Sequence, residues 1–377
     1  MFTKNNSKIL ILIISLWIII QTILLFHFGI ETDGESVKYI REANNLIKTG
    51  NLSSPNFWMY ITQISLIFVA IKFQLGFGFV VAVQLLFNLF ATLSIYRLVS
   101  TLSNQIVGLV VSVWFLLNLP LHQFNSFLQT DSLFYSFTII FSCYLFQLKR
   151  ISLKHITTIT LCLTIIAVTR PTGIFFYAAT FLFLYFRFLP GISMAYKIPV
   201  LLIGLMIFIF FINTAIGSGG ELDFMLTARH EHIICGVATQ ANGVPITEIE
   251  KGNSVYGLFY YITHNFSQFS RLAFERSVAF FGVLRTHYSS VHQIYLMLLF
   301  YPAYVLMLFS LKYWAKKNPD IMIYVFVIIS LTWLTVIVSC DDWHNRFFLT
   351  ISPYFNLLAI PAINKILPKK WGDSERS

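Results

Sequence analysis

The residues best suited to chemistry stand in short polar segments of an otherwise apolar chain, and the first of these is an acidic loop. Glu31, Asp33 and Glu35 occupy every second position of this loop, and the helix breaker Gly34 lies between the last two. A carboxylate in such a loop can take a proton as a general base. An aspartate just before a helix can instead cap free backbone N–H groups. Both roles stay open for Asp33, which begins a predicted amphipathic surface helix.

A second polar segment, 341–346, has the sequence Asp-Asp-Trp-His-Asn-Arg. The guanidinium of Arg346 and the imidazole of His344 are groups that bind phosphate oxygens. Asp342 is a candidate for contact with a polar substrate, and it also stands at the spacing of an ion pair with Arg346 across one helical turn. This density of acids, imidazole and guanidinium favours a functional loop.

Three further polar residues stand at the predicted ends of apolar segments. Asp131 opens a helix, where it either caps the N-terminus or contacts a substrate. Arg170, next to Pro171, either extends to lipid headgroups or binds a lipid phosphate. His122 follows Pro120 and is a candidate substrate-binding residue. The sequence leaves these alternatives open.

Familiar metal and nucleotide motifs do not occur in the sequence. His230-Glu231-His232 has a spacing that differs from a helical ligand pair, and we expect no zinc there. No Cys-x-x-Cys pair, phosphate-binding Gly/Lys loop or HExxH motif occurs. The four cysteines predict no disulfide framework, and a bridge between Cys235 and Cys340 is left open.

The composition indicates which elements must position these groups. Hydrophobic residues make up 57% of the 377 residues, charged residues make up 11%, and phenylalanine occurs 39 times. Because about a quarter of the residues in soluble domains are charged, we predict an all-α polytopic membrane helix bundle. The net charge of +10 then reports on the orientation of loops and does not indicate a nucleic-acid partner.

The apolar pattern predicts about ten spans, with both termini cytoplasmic, in a single domain covering 1–377. Loops rich in Lys and Arg define the inner side, and the outer loops are 31–79, 217–290 and 341–346. Phe57–Leu75 is predicted to be re-entrant, because a full span there would reverse every later segment. The predicted spans are Ile9–Phe26, Val80–Tyr96, Ile106–Leu119, Ser132–Leu148, Ile156–Val168, Gly173–Phe186, Ile198–Ile212, Ile294–Leu311, Ile321–Ser339 and Phe347–Ile363.

Four segments together resemble the GT-C superfamily of integral-membrane glycosyltransferases, in the branch of protein O-mannosyltransferases and bacterial lipid A aminoarabinose transferases. The resemblance covers nearly the whole chain, although each motif is short. Gly34 departs from it by separating two acids that are often adjacent in the family. The chain also lacks the large C-terminal soluble domain of oligosaccharyltransferase relatives, which argues against transfer of whole oligosaccharides. The segments are Asp33 through Tyr39, Ala43 and Gly50; Gln129–Phe134; Thr169–Gly173; and His344–Phe347 with Pro353 beyond.

The resemblance implies transfer of one sugar from a polyprenyl-phosphate donor to a hydroxyl of a glycan, lipid or protein, with inversion. It implies action at the outer face of a membrane, which we expect to be the bacterial inner membrane. No cofactor is firmly implied, and a divalent cation is left open. The implied site comprises catalytic Asp33 and Glu35, phosphate-binding Arg170, His344 and Arg346, and substrate-binding His122, Asp131 and Asp342.

Two other classes of protein predict different patterns. A transporter or flippase of lipid-linked glycans predicts internal repeats, broken helices and charges near the bilayer midplane. The sequence has no repeat, and its charges gather at one predicted face. A non-catalytic scaffold has no need of dense charge in three separate loops. We therefore expect a membrane glycosyltransferase, with a transporter or flippase as the alternative.

Overall fold

The computed structural model describes residues 4–188, 223–249 and 252–367, together with 198–199, 202–206, 209–210, 213 and 217. Its regular elements are helices, and between those described residues the β-type pairing is limited to two isolated bridges, Glu31–Phe127 and Ile234–Asp341. The predicted all-α class is confirmed.

The helices follow the chain in one numbered series, interrupted by three 3-10 turns. The turns are Pro55–Tyr60, Gln123–Ser126 and Pro171–Gly173. The α-helices are α1 (Lys4–Phe28), α2 (Ser36–Thr49), α3 (Ile61–Lys72), α4 (Phe77–Leu102), α5 (Gln105–Leu116), α6 (Leu119–His122), α7 (Asp131–Phe146), α8 (Leu153–Ala167), α9 (Ile174–Phe188), α10 (Phe224–Arg229), α11 (Val255–His264), α12 (Phe266–Gly282), α13 (Ser290–Lys317), α14 (Pro319–Val338), α15 (Arg346–Leu358) and α16 (Ile360–Ile366).

Several helices are long and apolar enough to cross a membrane, which supports a multi-pass membrane protein. Among the described residues there are five, and up to seven if two bent pairs each form one span. This count supports several membrane-spanning helices, and the predicted layout of about ten spans is more detailed than the count. The predicted spans at 132–148 and 156–168 correspond to the shorter α7 and α8. The predicted span Ile198–Ile212 lies partly outside the described residues.

The predicted surface helix is α2, and it packs on the predicted re-entrant segment. Tyr39 and Ala43 of α2 form a buried cluster with Ile64 and Ile67 of α3. At 1.5 Å per residue, α3 spans about 18 Å, short of a hydrocarbon core of about 30 Å.

The chain divides into two compact units, which are described separately below. Unit 1 comprises Met1–Tyr177, Leu299–Met322 and Ser352–Ser377. Unit 2 comprises Ala178–Leu298 and Ile323–Ile351. The acidic loop, His122, Asp131 and Arg170 belong to unit 1, and the 341–346 segment belongs to unit 2.

Candidate active site

In unit 1 the acidic loop lies against the segment that leads into α7. The Glu31 N–H donates to the Ser126 carbonyl at 3.0 Å, and the Leu128 N–H donates to the Glu31 carbonyl at 3.1 Å. The Glu31 carboxylate accepts a hydrogen bond from the Asp33 N–H at 3.0 Å. These main-chain bonds make neighbours of the first loop and the start of α7, which are far apart in sequence.

Asp33 is an exposed member of the acidic loop. Gly34 follows with a φ of +58°, and the Ser36 N–H donates to the Asp33 carbonyl at 3.1 Å. α2 begins at Ser36, so Glu35 is the N-cap residue, and no side chain caps the helix. The capping role predicted for Asp33 is therefore wrong. Among the described residues its carboxylate has no hydrogen-bond or ion-pair partner, whereas Glu35 lies 3.7 Å from the Lys38 ammonium.

Asp131 and Arg170 form a buried ion pair in unit 1. Asp131 is fully buried in the first turn of α7 and also accepts from the Tyr135 hydroxyl at 3.2 Å. Arg170 is 7% exposed, with its guanidinium 5.9 Å from the centre of the Phe134 ring. The N-cap position belongs to Thr130, so the capping predicted for Asp131 is wrong. Burial of Arg170 likewise contradicts an extension to lipid headgroups.

Buried amide side chains hold the segment before Asp131 in place. The Gln84 amide donates to the carbonyl oxygens of Phe124, Asn125 and Phe127 at 2.9–3.4 Å. Gln63 in turn donates to the Gln84 side-chain oxygen at 3.1 Å. Because buried carbonyl groups need partners, these amides fix the main chain on which the acidic loop rests. The sequence signal was present, since Gln84 interrupts an apolar span, but nothing in the sequence identified its partners.

His122 is fully buried in unit 1. One ring nitrogen, Nδ1, lies 3.1 Å from the Gln21 amide nitrogen, and the other, Nε2, lies 3.1 Å from the Phe115 carbonyl oxygen. Gln21 also accepts from the Asn125 amide at 3.0 Å. With both nitrogens engaged and no exposed surface, His122 supports the packing of α1 and α5 in this structure.

Unit 2 contains a second buried ion pair, between Arg285 and Asp341. Arg285 also donates to the Asp342 carbonyl at 3.0 Å and the Ala279 carbonyl at 2.9 Å. Burial raises the pKa of Asp341 to about 6, against the effect of the Arg285 guanidinium beside it. The pair anchors the start of the 341–346 segment.

A disulfide and a main-chain bridge hold the same segment. Cys235 and Cys340 are bonded. The Cys235 N–H donates to the Asp341 carbonyl, and the Asp341 N–H donates to the Ile233 carbonyl, both at 2.8 Å. The bridge that the sequence left open is thus present, and the cysteines stand 105 residues apart.

Asp342 and Arg346 interact across one helical turn, as their spacing predicted. The Arg346 guanidinium lies 3.8 Å from the Asp342 carboxylate. The other carboxylate oxygen of Asp342 accepts from the N–H groups of His344 at 2.8 Å and Arg346 at 3.3 Å, at the start of α15. Arg346 is 7% exposed and His344 is exposed. Asp342 therefore stabilises the loop, and it sits beside both predicted phosphate-binding side chains.

Stacked aromatic and imidazole rings border this segment in unit 2. Trp343 stacks on His287 with a centroid distance of 4.3 Å, and Tyr288 stacks on His292 at 4.2 Å. Burial and the neighbouring charges of His344 and other cationic groups lower the pKa of His287. Basic side chains, among them His287, Arg285 and His292, are therefore grouped near His344.

Arg276 is a buried arginine that holds main chain. It is 1% exposed and donates to four carbonyl oxygens at 2.8–3.3 Å. Burial lowers its pKa to about 10. These bonds join the end of α14 to the segment after α10. The sequence placed Arg276 among the cations of the large outer loop and gave no sign of this role. Its acceptors are the carbonyl groups of Thr227, His232, Ile337 and Val338.

Other arginines of unit 2 are engaged by carboxylates. Arg271 pairs with Glu231, and Arg229 pairs with Glu248. Burial raises the pKa of Glu231, but hydrogen bonds from Arg271 and Gln268 outweigh burial and leave that pKa lowered. Among the residues that the structure describes, no three His, Cys, Asp or Glu side chains are grouped as metal ligands.

The chain matches no family model, no curated protein and no solved structure. Its function is therefore inferred from the geometry of the two units.

Proposed function

We propose that the protein is a membrane glycosyltransferase of the GT-C type. It transfers one sugar from a polyprenyl-phosphate donor to a hydroxyl acceptor. The observation that carries this proposal lies in unit 1, where the acidic loop pairs with the main chain leading to Asp131, and Asp131 pairs with Arg170. Three of the four segments behind the family resemblance thus meet in one place, and an exposed aspartate stands at its surface.

Asp33 is the proposed general base. As the acceptor oxygen bonds to the anomeric carbon, the bond from that carbon to the phosphate oxygen breaks, and polyprenyl phosphate leaves with the electron pair. The acceptor proton passes to the Asp33 carboxylate. A carboxylate is a weak base, but the attacking hydroxyl becomes acidic late in a reaction with an oxocarbenium-like centre. Glu35, which lies near Lys38, has a supporting electrostatic role.

His344 and Arg346 are the phosphate-binding residues that the family resemblance implies. A guanidinium can bind two phosphate oxygens at once, and an imidazole N–H can donate a further hydrogen bond. Arg170 is the weaker candidate, because it would have to leave Asp131 before it could bind a phosphate. We therefore assign the Asp131–Arg170 pair to positioning the acidic loop.

We also propose that the chain has about ten spans, cytoplasmic termini and an outward-facing site, and that it lies in a bacterial inner membrane. The Cys235–Cys340 disulfide supports the outward placement of both segments it joins, because disulfides persist in oxidising compartments and are rare in the cytosol. Cys235 belongs to the predicted outer loop 217–290, and Cys340 directly precedes the predicted outer loop 341–346.

The test is an assay of membranes with labelled polyprenyl-phosphate sugars. We expect one donor to be consumed by the wild-type protein. Asp33→Asn should lower turnover by about 10²–10⁴-fold at equal protein level, because an amide cannot accept the proton. Glu35→Gln is the matched control and should cost less. Near-normal turnover in Asp33→Asn would remove the proposed base.

A transporter of lipid-linked glycans is the second candidate, favoured by the buried Asp131–Arg170 pair, since charged groups inside membrane proteins often mark translocation pathways. Proteoliposomes distinguish the two functions. A flippase moves the labelled lipid between leaflets and leaves its sugar attached, whereas a transferase releases polyprenyl phosphate.

A further inference from the structure

Two helices of unit 2 carry large apolar side chains on their outer surface. On α11, Tyr256 is 66% exposed and Phe259 is 65% exposed. On α12, Phe266, Phe274 and Val278 are 67%, 70% and 57% exposed. Scattered apolar residues are ordinary on a protein surface, but aromatic side chains exposed on two consecutive helices indicate an interaction site.

The exposed side chains of α12 share one face. At about 100° per residue, Phe266, Phe274 and Val278 lie within an arc of about 120°. Leu272, Arg276 and Phe280 are buried and lie within a separate arc of about 80°, centred about 140° from the centre of the first. α12 is therefore amphipathic in shape, with one face against the unit and one face turned outward.

α12 buries one of its charged side chains and exposes apolar ones. Arg276 lies inside, bonded to main-chain carbonyl groups, while Phe274 and Val278 lie outside. Arg271 and Glu275 of the same helix are partly exposed. A helix that exposes both apolar and charged side chains suits the boundary between lipid and water.

We infer that α11 and α12 lie in the lipid–water interface of the membrane, with their exposed aromatic face against lipid. The inference does not depend on sugar transfer. It rests on continuity along the chain, because α12 is followed by the long apolar helix α13, whose first residues, 290–298, belong to the same unit. The first turns of α13 expose Val291, Ile294 and Leu298.

The edge of this face supports the same placement. Arg271 of α12 stands beside the apolar arc with 48% of its side chain exposed and pairs with Glu231 and Glu275, so charged groups lie at the edge of this face. On α11, Tyr260 stacks on His264 at a centroid distance of 3.8 Å. Tyrosine rings concentrate at the level of lipid headgroups, since one end of the ring is apolar and the other end is polar.

The experiment uses the full chain in phosphatidylcholine–phosphatidylglycerol liposomes. Cys143→Ala and Cys162→Ala remove the free thiols and keep the Cys235–Cys340 disulfide. Single cysteines replace Phe259, Phe274 or Val278, and each is labelled with a nitroxide without reductant. Asn242→Cys is the control, because Asn242 is exposed in a polar segment of the same unit.

We expect nitroxides at the three apolar positions to relax faster with oxygen, which partitions into lipid, than with a water-soluble nickel chelate. The label at Asn242 should show the reverse. Preferential collision with the nickel chelate at Phe274 and Val278 would overturn the inference, as would spin–spin broadening that disappears on dilution with unlabelled protein, since that indicates a second copy on this face. The labels sit at exposed positions, and retention of the disulfide with a single elution peak verifies folding.

Discussion

The two buried ion pairs, Asp131–Arg170 in unit 1 and Asp341–Arg285 in unit 2, share a chemistry and differ in their supports. In unit 1 the surrounding segment is held by amide side chains, chiefly that of Gln84. In unit 2 the pair adjoins a disulfide and a main-chain bridge. Unit 1 also has a main-chain bridge, between Glu31 and Phe127, so the difference between the two sites is the covalent link in unit 2.

Because of this difference, we expect the two units to respond differently when a buried charge loses its partner. A buried charge that loses its partner is costly, because neither water nor another ion replaces the lost contact. In unit 1 such a loss should disturb the acidic loop, since the segment before Asp131 carries that loop. In unit 2 the 341–346 segment should keep its place as long as the disulfide is intact.

The largest effect is expected for Arg170→Ala, which leaves the Asp131 carboxylate buried and unpaired. We expect a loss of about 3–5 kcal/mol in the free energy of unfolding, measured as thermal denaturation in detergent and as the level of protein in membranes. Asp131→Leu combined with Arg170→Met should recover much of the stability. The control is Lys38→Ala at the partly exposed Glu35–Lys38 pair, with a cost under about 1 kcal/mol. Equal stability of Arg170→Ala and wild type would contradict a structural pair.

The second effect concerns the covalent support of unit 2. Replacing both Cys235 and Cys340 by serine should lower stability by about 2–4 kcal/mol. Limited proteolysis should then cleave 236–242 sooner, while sites in unit 1 keep their wild-type rate. Reductant should produce the same change in the wild type. If neither treatment alters the digestion pattern, Arg276 and the main-chain bridge suffice to hold the segment.

The third effect separates phosphate binding from structure at Arg346. Arg346→Lys keeps the charge but loses the planar two-point grip. Loss of such a charge-assisted contact costs about 1.5–3 kcal/mol, or roughly tenfold or more in donor affinity. Donor titrations with Arg346→Lys, Arg346→Ala and Asp342→Asn should show a graded loss at Arg346 and a mild change at Asp342. Equal and small changes at both positions would return Arg346 to a purely structural role.

The smallest effect is the pH dependence of the Glu231–Arg271 pair in unit 2. Because the pKa of Glu231 is lowered in the folded protein, the pair stabilises unit 2 at pH values above the ordinary value of 4.5, and this contribution is lost as the pH falls further. With Arg271 about half exposed, we expect less than about 1 kcal/mol. Thermal denaturation between pH 3.5 and 6 should show the loss in the wild type. If the stability of Glu231→Gln falls over this pH range with the same slope as that of the wild type, the pH dependence belongs to other groups.

The sequence by itself determined the class of the protein and the chemistry of its loops. Long apolar helices follow from runs of hydrophobic residues, because a helix satisfies its own backbone in lipid. The spacing of Asp342 and Arg346 predicted a contact that the structure contains, since one helical turn brings such residues together.

Only the tertiary structure decided which distant residues meet. Asp131 was expected to cap a helix, yet its carboxylate binds Arg170, and Cys235 reaches Cys340 across 105 residues. Hydrophobic periodicity specifies each helix and one of its faces, but not the helix that packs against that face. Arg276 is a further example. Its guanidinium donates to main-chain carbonyl groups, and residue types alone do not identify such partners.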